Sequence, residues 1–272
     1  GAHLRRRVDL TAQTRSQVIA VGTTARLVLL VLVAAGGLTA YVTIRPEQPW
    51  LLWLTAGLVA LGTDGVVRGH PRWQGEGAFA SLVYLLLPFL ATLGAGLFID
   101  EATDGYGRPV TALAGAALVG VVAYGEFCTV EFGSRLYGAM RLVLAVVTYL
   151  TAFAIYTVVF TRDLDVAAGS IYVGLASAAL AMELLRESRL LGASSVLVGL
   201  AIGISVGELR AALYFFPLDG LLAGALLIIG FYLATGLAHH LLDHDLEWST
   251  TAEYVLVAAV GTAAVVVTRV FV

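Results

Sequence analysis

Nine runs of apolar residues, each near the length of a membrane-crossing helix, alternate with short polar breaks along the chain. A helix needs about 20 such residues to cross the hydrocarbon core. The runs fall at about 25–44, 50–67, 78–99, 110–124, 139–160, 166–185, 190–216, 221–242 and 250–272. The fourth is short, which makes it a candidate re-entrant segment and leaves eight spans as the alternative count. The pattern predicts an all-α, polytopic membrane bundle. No polar stretch reaches the size of an independent core, so the chain reads as a basic cytoplasmic tail at 1–24 followed by one transmembrane domain at 25–272. In the tail, Arg5, Arg6, Arg7 and Arg15 stand among Leu4, Val8 and Leu10 with no cleavable apolar leader after them. That composition suits an uncleaved interfacial segment.

Composition sharpens this picture. Of 272 residues, 59% are hydrophobic and 13% charged, against about 45–50% and about 25% in soluble domains. Lysine is absent, which removes Schiff-base chemistry and any phosphate loop built on a Lys. Asparagine is absent too, so there is no N-glycosylation acceptor. The joint loss points to a bacterial, heat-tolerant source and to the cytoplasmic membrane. Cys128 stands alone and excludes an internal disulfide or thiolate-bound metal cluster. The net charge of −3 gives no reason to invoke nucleic acid; the surrounding partner is membrane lipid.

Arginine placement sets the orientation. With the N-terminus inside, eleven of the 16 arginines lie toward the cytoplasmic face, Arg26, Arg68, Arg72, Arg141 and Arg186 among them. Arg45, Arg108, Arg162, Arg210 and Arg269 lie toward the other face, as the positive-inside rule expects.

Helices in lipid meet through small residues four apart. Gly199, Gly203 and Gly207 form such a row in the seventh span, with further rows at Ala112, Ala116 and Gly120 and at Ser170, Gly174 and Ala178. Each row reads first as packing within the chain, and the row at Gly199, Gly203 and Gly207 also as a homodimer face. Leu90-Ala91-Thr92 and Leu233-Ala234-Thr235 match across oppositely oriented halves, as in the inverted repeats of many transporters.

Charges inside a span cost about 2.5–3.5 kcal/mol at mid-helix and mark candidate sites. Glu208 and Arg210 stand two apart near the outer end of the seventh span, so about 200° of rotation separates them and each needs a partner elsewhere. Tyr214, one turn on, is a local candidate for Arg210. Asp219 and the acidic loop of Asp100, Glu101 and Asp104 supply carboxylates on the same side. Glu208, Arg210, Tyr214 and Asp219 therefore form the candidate transport or gating set, with Glu208 as the coupling carboxylate.

A second constellation, His239, His240, Asp243 and His244, sits at the inner end of the eighth span. His240 and His244 share one helical face with Asp243 close by, a spacing that suits zinc. His70, on the same side of the membrane together with Asp64, Glu126 and Glu183, is a further candidate ligand. The His240 and His244 pair is similar to the zinc site of the alkaline ceramidase and progestin/adiponectin receptor superfamily. That family also carries seven spans and a Ser-x-x-x-His pair on an early helix, whereas here Ser81 has no His four residues later.

Three functions follow from these features. A small permease or ion-coupled transporter uses Glu208; a membrane scaffold or complex subunit uses the glycine rows; a zinc hydrolase uses the histidines on lipid of the cytoplasmic leaflet.

Overall fold

The computed structural model describes residues 2–44, 48–75, 81–187, 193–242 and 248–271. Among these the chain forms α1 (Ala2–Thr43), α2 (Pro49–Arg68), α3 (Leu82–Ala102), α4 (Gly107–Cys128), α5 (Tyr137–Thr161), α6 (Val166–Leu184), α7 (Ala193–Leu213), α8 (Gly220–Leu242) and α9 (Trp248–Phe271). A short 3-10 turn, Leu185–Glu187, follows α6. All nine helices contain a stretch long and apolar enough to cross a membrane. The count of nine stands, and α4 is a full span rather than a re-entrant piece. Its apolar run looked short because Arg108 and Glu126 flank it; both lie within the helix, Arg108 bonded to Thr103 O and Glu126 to Arg186.

Lipid offers the backbone no hydrogen bonds, so helices are the economical solution for every apolar run. Their ends are marked chemically. Pro49 opens α2, where its missing N–H is no loss. Asp165 accepts from Ala168 N at 3.0 Å to cap α6, and Asp219 accepts from Leu222 N at 2.8 Å at the start of α8. Buried threonines Thr63, Thr92, Thr148 and Thr235 return their hydroxyls to the carbonyl one turn back. Thr235 also bonds Tyr149 Oη of α5 at 3.1 Å.

Two apolar cores lie side by side. One gathers Leu38, Tyr41, Leu52, Val59 and Val119 from α1, α2 and α4. The other gathers Leu87, Leu144, Tyr156, Leu180, Leu227 and Phe231 from α3, α5, α6 and α8. Leu90 of α3 touches both, so α3 is the shared wall. Helix α9 packs on α8, placing the Tyr254 ring in the notch left by Gly236, and its span buries no side chain within the chain. Exposed Trp50, Tyr106 and Phe215 mark one membrane face and exposed Phe132 and Trp248 the other, as aromatic belts do.

The α6–α7 contact is the tightest. Gly203 and Gly207 face Gly174 and Ser170 of α6, so closely that a Cβ on Gly203 would overlap the Gly174 carbonyl oxygen and stand 2.8 Å from Ala178 Cβ. The row of Gly199, Gly203 and Gly207 is therefore filled by α6 of the same chain, as intramolecular packing requires.

Candidate functional site

The densest buried chemistry lies at the inner ends of α4, α5 and α6. Glu126, in the last turn of α4, is fully buried, and Glu183, at the end of α6, is 1% exposed. Arg186 turns back from the 3-10 segment and donates from Nη1 to Glu126 Oε2 at 2.7 Å and to Glu183 Oε2 at 3.0 Å. Its Nη2 donates to Thr129 Oγ1 at 2.9 Å, and its guanidinium carbon stands 4.3 Å from the centre of the Tyr84 ring on α3. Arg141 on α5 donates to Glu183 Oε1 at 2.7 Å and to the Glu183 carbonyl at 3.2 Å. Burial alone would lower the Arg186 pKa; the charges of Glu126 and Glu183 outweigh it and hold the guanidinium above its ordinary value. One atom is left over. Glu126 Oε1 is buried and without a hydrogen-bond partner among the described residues, and an unpaired buried carboxylate oxygen is a place that a proton or small cation can fill.

Sequence reasoning placed Glu126 and Glu183 on this face but grouped them with His70. The available signal was the i,i+3 spacing of Glu183 and Arg186, which puts both on one helical face. What it lacked was the second helix.

A looser ionic ring closes the outer ends of α3, α4 and α5. Arg162 reaches Asp100 at 3.3 Å and Glu101 at 3.7 Å, and Arg108 reaches Asp104 at 3.4 Å. These carboxylates, candidates for Arg210, thus serve other arginines, and Asp219 serves the start of α8. Arg210 is 1% exposed and donates instead to three backbone carbonyls, those of Leu164, Asp165 and Val166, at 2.6 to 3.1 Å. Gly169 makes room for the guanidinium, which fills the space a Cβ would need. Tyr214 stacks on it as the local spacing suggested, with 5.1 Å from guanidinium carbon to ring centre.

Glu208 points the other way. It is exposed at the membrane-facing side of α7, lining a trough between α6 and α7.

The His239 and His240 rings lie 6.0 Å apart, and His240 rests against Tyr254 of α9. Asp243 and His244 lie outside the described residues. His70 stacks edge-on at 4.6 Å on Phe127 of α4 and accepts at Nδ1 from Arg72 N. Among the described residues no three His, Cys, Asp or Glu side chains come together as a metal site.

Burial, opposed by Glu131, lowers the His70 pKa below the usual 6.5. Neutral in the folded chain, His70 lets the unfolded chain take up the proton first, so stability is full above pH 6.5 and falls as pH drops toward the folded pKa. A proton-NMR titration of His70, assigned by loss of the signal in His70→Gln, is expected to show a midpoint below 6.5. A midpoint at or above that value would mean that Glu131 dominates.

The chain belongs to the family described as Protein of unknown function (DUF5656), whose profile matches residues 26–268. No curated protein and no solved structure matches it.

Proposed function

We propose that the chain is a small ion-coupled permease of the bacterial cytoplasmic membrane, with the inner ionic cluster as its gate and Glu126 as the carboxylate that couples the gate to a proton or cation. The observation that carries this reading is the fully buried Glu126 Oε1 beside Arg186, without a hydrogen-bond partner among the described residues. Ionisable groups buried at a helix end and shared among several helices are costly to keep unless they do something. Here they tie α4, α5 and α6 together at one face, while Asp100, Glu101, Arg108 and Arg162 tie α3, α4 and α5 at the other. Two ionic latches at opposite ends of the same helices suit alternating access, in which one opens while the other holds. A proton on Glu126 weakens its hold on Arg186. The inner end of α4 is then released from the turn after α6.

The lone cysteine reports on this step. Cys128 lies two residues beyond Glu126, in the last turn of α4, and is half-buried. At fixed pH, Glu126→Gln in inside-out vesicles is expected to raise alkylation of Cys128 by a membrane-impermeant maleimide about tenfold. That corresponds to losing one charge-assisted hydrogen bond from the latch. Equal rates in the variant and the natural chain would reject the gate, and the permease reading with it.

A further inference from the structure

We infer that the trough between α6 and α7 binds amphiphilic cations from the bilayer, with the head group at Glu208 and the apolar tail along the glycine floor; as a substrate class, this rests on the permease reading above. The trough encloses about 350 Å³. Exposed Ile171, Leu175 and Ile204 form its rims, and Gly174 and Gly203 lie in its floor. Because two helices that meet through glycine bring their backbones together, their outer surface is left grooved rather than filled. The groove is open to lipid along its length, and a ligand reaches it sideways without crossing water.

The polarity is confined to one end. Glu208 enters no hydrogen bond or ion pair among the described residues. Ser170, which faces Gly207 one helix across, lies in the trough wall with its Oγ buried and without a hydrogen-bond partner among the described residues. The exposed carboxylate makes the head-group subsite, and its charge selects a cation.

Among the described residues, the arginines on this side of the membrane are engaged elsewhere. Arg210 is turned away around α7 and held by three carbonyls. Arg108 and Arg162 are held by the outer acidic loop. Arg269 stands with Leu213 and Phe216 in a different recess. Glu208 stands five residues, about 8 Å of helix, before the end of α7 at Leu213, where exposed Tyr214, Phe215 and Phe216 follow, which puts the carboxylate below the membrane interface. Such a depth favours a cation that brings its own apolar tail over a hydrated ion.

The test is equilibrium binding of radiolabelled dodecyltrimethylammonium to the full chain in phosphatidylcholine nanodiscs. Saturable binding at one per chain is expected, weakened about tenfold in Glu208→Gln and retained in Glu208→Asp. Ala211→Trp, which blocks the trough while leaving the carboxylate, is expected to abolish it. Unchanged binding in Glu208→Gln, or equal competition by neutral dodecyl maltoside, would overturn the proposal and leave a groove for lipid tails. The Cys128 response to Glu126→Gln is read separately. Loss of cation binding with that response intact removes the substrate class alone, whereas loss of the response removes the permease reading itself.

Discussion

Replacing Arg186 by Met is expected to cost the fold about 3–5 kcal/mol, the range for removing one partner of a buried ion pair. The guanidinium bridges Glu126 and Glu183, which are 0% and 1% exposed. Without it, Glu126 loses its cation, while Glu183 keeps Arg141 among the described residues. Lost packing on Tyr84 adds to the effect. The double variant Glu126→Gln/Arg186→Met is expected to regain most of the loss, because buried pairs replaced together by neutral groups of similar size are often tolerated. Unfolding by sodium dodecyl sulfate in mixed micelles, followed by tryptophan fluorescence, measures both. A loss below about 1 kcal/mol for the single variant would place the cluster in water-like surroundings, where ion pairs matter little.

Gly203→Val is expected to be as damaging, at about 3 kcal/mol or more, through overpacking. Its Cβ would overlap the Gly174 carbonyl oxygen, a backbone atom that cannot swing aside. Helices α6 and α7 would have to part, breaking the closest contact in the bundle. Gly199→Ala provides the contrast: its Cβ would meet the Met182 side chain at 2.8 Å and the Ala178 carbonyl oxygen at 3.1 Å, and a flexible thioether yields more readily than backbone. The same unfolding assay should rank Gly203→Val well above Gly199→Ala. Similar losses at the two positions would mean that α7 shifts as a rigid rod.

Much of the site was legible one helix at a time. Arg210, inside an apolar run, announced that it needed partners from elsewhere, and Tyr214 at i+4 was a partner that helical spacing alone could name. The carboxylates first matched to Arg210 were chosen by side of the membrane, and the chain used carbonyls instead. Arg210 shares carbonyls at the start of α6, among them Asp165 O, which also accepts from Gly169 N, and nothing in a run of residues marks which turn will come within reach. Glu126 shows the same limit from the acidic side. Its neighbours in sequence are apolar, and its partner lies 60 residues away on another helix. Loop residues such as Arg186 look solvated until the bundle folds them inward.

By itself the sequence determined the all-helical class, eight or nine crossings, and which helix faces could come close, because lipid leaves an apolar run few choices and only small side chains permit backbone contact. The tertiary structure decided which helices met. It closed the glycine row of α7 on α6, turned Glu208 outward and Arg210 inward, and drew Glu126, Glu183, Arg141 and Arg186 into one cluster. Those outcomes depend on distances between residues far apart in the chain, and a pattern of neighbours carries no record of them.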